Sequence, residues 1–474
     1  MHFLRKHCSS GMRAIILFCV VILFPACHEG NNDEIEKGTN ITTYTLDDGT
    51  KGALQQIGHL KNISIVSIND NNNKAEYQAG FVNGHLLKDS MVSARDNFWD
   101  AAYRVSPEPI FPTALPPPKA EMELAEKLLK ENYAYTVMYA ETKADPELRK
   151  KMLRIFFRLL GVYHGAKHKK PLDLDFSGRW MPSLEYFTAE ELILGYETPG
   201  ISFLDLYFLN AFADLLDAVS GRTRIEKCTA FVKKSADDIL MAHNSWFPYL
   251  DMSMLSNYYI NGDFFSFNVM APGVIYSQTS FGYNNHGIMF CETTIMATQS
   301  EPKTKSLWMA WREALASQFS VSMDDFYDLL SLEASGTYMN SYMVVDVNKN
   351  EIGLIEMSYD TFVYFKPNKE NGYDVITKPE SGVSKEYDHE MLQPDYILGF
   401  NYAVSLFIRD QLKSINNRPA RQTQLLSMIN DVSDVEAAKD LITFTDDLNP
   451  LSIYGRWDLG YGDTPTPKTV AEGA

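Results

Sequence analysis

Cysteine is scarce in this sequence, and its placement says more than its number. The 474 residues contain five cysteines, three of which lie within the first 27 residues. The rest of the chain keeps only Cys228 and Cys291. A small fold held together by several disulfides is therefore excluded. Two readings stay open for this pair: one bridge between them, or one reactive thiol and one buried thiol.

Positive charge is also in short supply. Lys and Arg number 43 against 61 Asp and Glu, which gives a formal net charge of -18. A surface of this sign repels phosphate backbones and is not attracted to anionic lipid headgroups. We therefore expect no nucleic-acid partner, and membrane contact only through a lipid anchor at the N-terminus.

The sequence lacks the short motifs of several common enzyme classes. It contains no G-x-x-x-x-G-K-[ST], no G-x-S-x-G and no H-E-x-x-H. Their absence argues against P-loop nucleotide hydrolysis, a serine-hydrolase elbow and zinc proteolysis. His164 and His168 have metal-ligand spacing, but the lysines beside them oppose a bound dication. We expect no metal and no other cofactor.

Long apolar runs are absent except near the N-terminus. The run Ala14–Phe24 follows basic residues and is shorter than the about 20 residues that a membrane span needs. This pattern predicts an export signal over residues 1–27. Its end, Pro25-Ala26-Cys27, is typical of a bacterial lipoprotein signal in which Cys27 carries the lipid. We expect a protein on the outer surface of a bacterial membrane, joined by a polar tether over residues 28–50; secretion or a periplasmic location is the alternative.

The remaining chain changes character along its length. Amphipathic helices are predicted at about 76–105, 120–142, 146–165, 188–195 and 201–219. From Cys228 to about Asp346, short runs of β-branched and aromatic residues predict strands, and helices return after about residue 390. This order lacks the regular alternation of a parallel α/β fold. It favours antiparallel sheets covered by helices.

The residues after Cys228 predict a β-hairpin. CTAFVKK and ILMAHNSW read as two strands joined by the turn SADD. The second strand would bring His243 and Asn244 back beside Cys228. A cysteine nucleophile needs a neighbouring base or cation that favours its thiolate. The spacing alone also fits a buried, inert cysteine.

Five segments in order resemble the phospholipase B-like family of N-terminal-nucleophile (Ntn) hydrolases. They are the hairpin C-T-A-F-V…A-H-N-S-W, Tyr77–Leu86, Leu204–Leu216, Gly287–Ile295 and Ser335–Asp346. The resemblance implies an α+β fold, a four-layer αββα sandwich of two antiparallel sheets flanked by helices, as a single domain over residues 51–474. It also implies a hydrolase of a carboxylic ester or amide. The substrate would be an acyl chain of a phospholipid or an N-acyl small molecule.

The same resemblance assigns roles to individual residues. Cys228 would be the nucleophile, exposed by self-cleavage between residues 227 and 228, and its new α-amine would be the general base. His243 would be a further catalytic residue beside Cys228. The side-chain amide of Asn401 would donate a hydrogen bond to the developing oxyanion. Arg421 would orient the nucleophile, with Arg418 as the competing choice. The expected substrate-pocket residues are Asn244, Trp246, Thr294 and Asn340.

Departures from the family pattern leave two alternatives open. Lys227 stands where the family prefers a small or polar residue, Met339 replaces an asparagine, and we expect the C-terminus to be short or truncated. Lys227 and the C-terminus favour a catalytically silent, surface-tethered binding lipoprotein of the same fold. An acyltransferase that passes the acyl group to an amine would have the same sequence features. Oligomeric state is left open.

Overall fold

The computed structural model describes most of the chain after residue 38. The described residues are 39–57, 60–67, 72–104, 117–178, 180–220, 228–235, 238–245, 255–261, 264–277, 281–295, 297, 302–370, 372–414 and 419–444. The expected export signal over 1–27, with Cys27, lies outside them. Across the described residues, no helix is both long and apolar enough to cross a bilayer.

Within these residues the chain forms fifteen strands and nine α-helices. The strands are β1 Thr39–Thr45, β2 Lys51–Ile57, β3 Leu60–Ser67, β4 Thr229–Lys234, β5 Ile239–Asn244, β6 Leu255–Asn261, β7 Phe264–Met270, β8 Phe281–Asn284, β9 Ile288–Thr294, β10 Asn340–Asp346, β11 Glu351–Met357, β12 Phe362–Asn368, β13 Gly372–Lys378, β14 Leu392–Gln393 and β15 Tyr396–Gly399. The helices are α1 Asn73–Arg104, α2 Lys119–Thr142, α3 Pro146–Lys167, α4 Phe203–Ser220, α5 Met309–Phe319, α6 Met323–Leu330, α7 Leu406–Leu412, α8 Pro419–Met428 and α9 Val435–Ile442.

Eleven of these strands form one large sheet. Their order is β1-β2-β3-β6-β7-β8-β9-β10-β11-β12-β13, and the single parallel pair is β3 with β6. Successive side chains point to opposite faces of a strand. In β9, Phe290 therefore joins the core under the helices, whereas Cys291 joins a second core on the other face. Tyr342 and Met343 of β10 divide in the same way.

A small second sheet packs on the face opposite the helices. Its order is β14-β15-β4-β5, with every neighbouring pair antiparallel. Ala230, Phe231 and Val232 are all buried, so β4 is covered on both faces. The large sheet lies on one side, and helices α8 and α9 lie on the other. The order of layers confirms the predicted α+β sandwich.

The hairpin predicted after Cys228 is confirmed. Strands β4 and β5 pair antiparallel, and the N–H of Ser235 donates to the carbonyl of Asp238 across the turn. Two other local predictions are wrong. The tether cannot run to residue 50, because the β-branched segment Thr39–Thr45 pairs with β2. The helix expected at 188–195 is one 3-10 turn, Glu190–Leu192, since glycine and proline follow closely.

Helix α3 shows how the sequence sets a boundary. The side chain of Asp145 accepts hydrogen bonds from the N–H groups of Glu147 and Leu148, and Pro146 occupies the first helical position. A carboxylate cap satisfies N–H groups that have no partner within the helix, and proline has no N–H to lose there. The start of α3 is therefore fixed by two consecutive residues, Asp145 and Pro146.

Helices α1 and α3 pack with their backbones in direct contact. Gly80 and Gly84 of α1 face Gly161 and Gly165 of α3. A methyl group added to any of the four would lie between 1.9 and 2.2 Å from a carbonyl oxygen of the other helix. No side chain fits at such distances, so the contact requires glycine at all four positions.

Replacing Gly84 with Ala should therefore destabilise the protein. Overpacking costs about 1–3 kcal/mol, which outweighs the ~1 kcal/mol by which alanine favours a helix. Urea unfolding is the measurement, with a lower midpoint at unchanged slope as the expected result. Ser93→Ala, on an exposed position of α1, is the matched control and should change stability by less than about 0.5 kcal/mol. An unchanged midpoint for Gly84→Ala would show that the helices separate freely.

Candidate active site

The open end of the β4–β5 hairpin carries the candidate nucleophile. Cys228 immediately precedes β4 and is buried. Ala230 lies opposite His243 on one side and opposite Gly399 of β15 on the other. Residues directly opposite each other share one face of a sheet, and so do residues two apart. Cys228, Ala230, His243 and Gly399 therefore share a face.

That face is turned toward the large sheet. A methyl group added to Gly399 would lie 2.6 Å from Cε of Met343 and 3.0 Å from Oγ1 of Thr293. Cys291 lies on this same side of β9. Burial, then the neighbouring Glu292 and Cys228, raise the pKa of the Cys291 thiol well above its usual value. Neither Cys228 nor Cys291 is in a disulfide, so the sulfur of the candidate nucleophile is not covalently blocked.

Arg421 of α8 holds the backbone at Cys228. Its Nη1 donates to the Cys228 carbonyl at 2.7 Å and to Thr229 Oγ1 at 3.0 Å. Its Nη2 donates to the Phe400 carbonyl at 2.9 Å and to Asn401 Oδ1 at 3.1 Å. The guanidinium is buried, and its planar fork fixes the direction of each bond. One side chain thus joins the start of β4 to the end of β15.

Asn401 extends this connection to the large sheet. Its Nδ2 donates to the Thr294 carbonyl of β9 at 2.7 Å. Its backbone φ is 70°, a left-handed conformation that asparagine tolerates better than most residues. With Arg421 on its oxygen and Thr294 on its nitrogen, the amide has a fixed orientation.

Asn244 holds the same end of the hairpin from the other side. Its Oδ1 accepts from the N–H of Thr229 at 2.8 Å, and its Nδ2 donates to the carbonyl of Ile442 in α9 at 3.1 Å. Both ends of the amide therefore contribute to the architecture of the site. Its expected contact with substrate stays a prediction.

A buried carboxylate, which the sequence analysis missed, fixes the loop after Asn401. Glu356 accepts from Ser341 Oγ and from the N–H groups of Val404 and Ser405, each at 2.7 Å. Burial raises the pKa of Glu356, and these hydrogen bonds oppose the rise only in part. The available signal was an acidic residue inside the apolar run of β11.

His243 is buried and neutral. Its Nδ1 lies 3.3 Å from Ser245 Oγ, and its Nε2 makes no hydrogen bond to any residue that the structure describes. Burial lowers the pKa of His243 to about 4, and the nearby Glu292 backbone offsets the shift only in part. A neutral imidazole supplies no positive charge to a thiolate. His243 is thus placed to accept or donate a hydrogen bond.

Two of the expected pocket residues lie on the other face of the large sheet. Thr294 and Asn340 are opposite each other at the ends of β9 and β10. With its nitrogen turned toward Glu292, the Asn340 amide lies 3.3 Å from Oε2 of that residue, within the core under the helices. The two-residue alternation of β9 turns the Thr294 side chain the same way. Thr294 reaches the site through its backbone carbonyl.

Several sequence-derived residues fall outside the described part of the chain: Trp246, Cys27, Lys227 and Arg418. The structure therefore brings together Cys228, His243, Asn244, Asn401 and Arg421. Within the residues that it does describe, no group of three or more His, Cys, Asp or Glu side chains could hold a metal ion.

Residues 58–366, well over half of the chain, match the phospholipase B family model. The chain belongs to the phospholipase B family. The matched range includes Cys228 and its hairpin, together with β6 to β11 of the large sheet. Asn401 and Arg421 lie beyond it, so their place in the site rests on the geometry alone.

Known phospholipase B-like proteins are similar over part of their length. Phospholipase B-like 1 of Homo sapiens is 27% identical over 192 residues, 35% of this chain and 34% of that protein. The Rattus norvegicus protein of the same name is 25% identical over 190 residues, 35% and 34% of the two chains. Phospholipase-B 81 of Drysdalia coronoides is 27% identical over 211 residues, 36% of each chain. The matched part thus spans about a third of each relative.

Replacing Arg421 with Lys should destabilise this phospholipase B family protein. Lysine keeps the charge but cannot form the fork, and each lost hydrogen bond to a charged group is worth about 1.5–3 kcal/mol. Urea unfolding would measure the loss. Ser427→Ala, exposed on the same helix, is the control and should unfold near the wild-type midpoint. If Arg421→Lys also does so, the guanidinium does not hold the start of β4.

The neutral state of His243 makes stability depend on pH. An unfolded histidine binds a proton near pH 6.5, whereas the folded His243 has a pKa of about 4. The unfolded state therefore takes up the proton first, and stability falls as pH decreases from about 6.5 to about 4. The loss for this group is about 3 kcal/mol, from ~1.4 kcal/mol per pKa unit.

The contribution of His243 to this pH dependence can be measured as the difference in unfolding free energy between wild type and a variant that lacks the imidazole. Unfolding free energies of wild type and His243→Gln should be compared at pH 7.5 and pH 4.5. Relative to the variant, the wild type should lose about 2–3 kcal/mol between the two conditions. His286→Gln, at an exposed histidine, is the matched control. Parallel behaviour of wild type and His243→Gln would contradict a buried neutral imidazole.

Proposed function

We propose that this protein hydrolyses a carboxylic ester or amide of an acyl lipid, with Cys228 as the nucleophile. The observation that carries the proposal is a buried cysteine outside any disulfide, whose backbone carbonyl is held by Arg421, beside the oriented amide of Asn401. Family membership and the names of the relatives support a lipid as the substrate class. The acyl group would belong to a phospholipid or to an N-acyl small molecule.

We propose further that Cys228 becomes an N-terminal residue by self-cleavage. The thiol would add to the carbonyl carbon of residue 227, and the C–N bond to Cys228 would break as its nitrogen takes up a proton. Water would then hydrolyse the thioester, leaving a carboxylate at residue 227 and a free α-amine at Cys228. The position of Cys228 just before β4 suits this step, because the held carbonyl leaves the new amine at the open end of the strand.

The free α-amine would be the general base. A base works best when its pKa lies near the working pH, and an α-amine has a pKa of ~8. His243, whose burial lowers its pKa to about 4, is a poor proton acceptor near neutral pH. The amine would take the thiol proton as sulfur attacks the acyl carbonyl and then give a proton to the departing alcohol or amine. Water would release the fatty acid from the thioester.

Asn401 would stabilise the oxyanion of this reaction. One hydrogen of its Nδ2 is used by the Thr294 carbonyl, and the second would point at the developing charge. Because Arg421 and Thr294 already fix the amide, little reorganisation is needed when the charge forms. Such prepared donors are worth about 3–4 kcal/mol of barrier in other acyl-transfer enzymes.

The cellular setting belongs to the same proposal. The N-terminal 27 residues would direct export, and Cys27 would carry a lipid anchor. The chain from Thr39 onward would form one catalytic domain, cut between residues 227 and 228 but remaining packed together. A protein held at a membrane surface in this way would meet its lipid substrates there.

Replacing Cys228 with Ala tests the nucleophile. Wild type should give two chains by intact mass, one of them beginning Cys-Thr-Ala-Phe, and should release fatty acid from a phospholipid or N-acyl probe. The alanine variant should remain one chain without turnover, since it has no thiol for either step. Adding an amine acceptor separates hydrolysis from acyl transfer.

Cys291→Ala is the matched control for this test. It removes the second buried thiol, on the facing strand of the large sheet, and should leave both processing and turnover in place. A Cys228→Ala protein that is still processed and active would contradict the proposed mechanism. If both variants fold but lose activity, the reaction depends on both cysteines, and Cys228 could not be assigned as the nucleophile from this test.

A further inference from the structure

Cys291 is a buried thiol that the proposed reaction does not use. It lies in β9 and is 0% exposed, while Cys228 is 4% exposed. Neither sulfur is in a disulfide. Because the chain after residue 27 contains no other cysteine, any thiol chemistry within the fold involves this pair.

The side chains of both cysteines point into the layer between the two sheets. Cys291 belongs to the core of this layer, and its partner across β10 is Met343. A methyl group added to Gly399 would lie 2.6 Å from Cε of Met343, so β15 lies directly over this part of the large sheet. Ala230 is opposite Gly399, and Cys228 lies two residues before Ala230 on the same face. The two thiols therefore enter one layer from opposite sheets.

The two sheets approach closely at this point. Facing sheets usually lie about 10 Å apart, whereas Cα atoms of β4 and β9 come within 8 Å of each other. The small residues Ala230 and Gly399 leave room for this approach. Burial is the largest cause of the raised pKa of the Cys291 thiol, followed by the charges of Glu292 and Cys228. A disulfide joins Cα atoms about 4.4–6.8 Å apart, so a small shift of the hairpin would let the sulfurs meet.

Oxidation is a hazard for a cysteine nucleophile in an exported protein. Outside the cytosol, thiols are not kept reduced. The first oxidation product, a sulfenic acid, is reversible, whereas the sulfinic and sulfonic acids that follow it are not repaired by thiols. A second thiol beside the sulfenic acid stops this sequence, because it converts the sulfenic acid into a disulfide that thiols can reduce.

We propose that Cys291 is a resolving cysteine, which forms a reversible disulfide with Cys228 when a peroxide oxidises the nucleophile. This inference rests on the proposed function only where it calls Cys228 the nucleophile. While the disulfide is present, the sulfur cannot attack an acyl carbonyl or the peptide bond before residue 228. The pair would therefore inactivate the site under oxidising conditions and preserve it for later reduction.

The reaction takes two steps and consumes one molecule of peroxide. First, the Cys228 sulfur attacks a peroxide oxygen. An S–O bond forms, the O–O bond breaks, and the thiol proton leaves with the released hydroxide as water. Next, the Cys291 sulfur attacks the Cys228 sulfur. An S–S bond forms, the S–O bond breaks, and the oxygen leaves as water with the Cys291 proton. Two thiols are oxidised while hydrogen peroxide is reduced to two waters.

Peroxide treatment of the full-length protein tests this role. After brief exposure to hydrogen peroxide, peptide mapping should find Cys228 joined to Cys291, with a mass two hydrogen atoms below the sum of the separate peptides. Turnover of a p-nitrophenyl ester of a short fatty acid should be lost with the same time course. Dithiothreitol should reduce the bond and return most of the turnover.

Cys291→Ala is the matched variant, because it removes the resolving thiol and leaves the nucleophile in place. After the same treatment its Cys228 peptide should carry two or three added oxygen atoms, and dithiothreitol should restore no turnover. Cys228→Ala is the second control. Burial raises the pKa of the Cys291 thiol, so Cys291 should stay unmodified by peroxide in that variant.

Two outcomes would overturn the inference. One is a wild-type protein whose Cys228 gains oxygen atoms while Cys291 remains a thiol that iodoacetamide modifies after unfolding. This outcome depends on wild type alone, so it decides the question even if a variant misfolds. The other is full recovery of Cys291→Ala by dithiothreitol. A Cys228–Cys291 disulfide in a protein without Cys228-dependent turnover would contradict the proposed function and leave the thiol chemistry standing.

Discussion

A single buried guanidinium group sets the relative positions of the parts that make up the site. Arg421 binds the carbonyl of Cys228, the hydroxyl of Thr229, the carbonyl of Phe400 and the amide oxygen of Asn401. A guanidinium is planar and its N–H directions are fixed, so these four oxygens cannot shift independently. Through the Asn401 amide, the constraint reaches β9 of the large sheet. Helix α8, both sheets and the proposed nucleophile are therefore connected within one hydrogen-bonded unit.

Around that unit, polar groups divide into those that support the site and those that remain unpaired. The side chain of Asn244 binds a backbone N–H and a backbone carbonyl, which fixes the start of β4. The side chain of Glu356 accepts from two backbone N–H groups, which fixes the loop after Asn401. Nε2 of His243 and Oγ1 of Thr293 have no such partner among the described residues. An unpaired buried group lowers stability, so it persists only where the surrounding structure holds it in place. The hydrogen bonds of Asn244 and Glu356 hold the surrounding backbone in place, so the fold remains stable despite the unpaired atoms.

Local features of this fold were open to prediction from sequence, and non-local ones were not. The hairpin after Cys228 could be predicted because both strands and their turn lie within one short segment. The long helices followed from periodicity, whereas the segment near residue 190 and the tether were misread, since glycine, proline and strand pairing overrode local pattern. Glu356 acts on residues almost fifty positions away, which no local pattern reveals. The side chain of Thr294 faces the helices instead of Cys228 because of strand register, since a shift of one residue moves a side chain to the other face.

The order of strands in the large sheet determines whether the protein could refold after self-cleavage. Strands β1 to β3 and helices α1 to α4 precede Cys228, whereas β6 to β13 follow it, and the two groups meet at the parallel pair β3–β6. If the bond before Cys228 is cut, this one sheet is built from two polypeptides that exchange main-chain hydrogen bonds where β3 pairs with β6. Once thermally separated, the two would have to find each other by diffusion before the sheet could form again. Unfolding would then be irreversible at low protein concentration. The lifetime of the folded, cut protein would be set by its rate of unfolding.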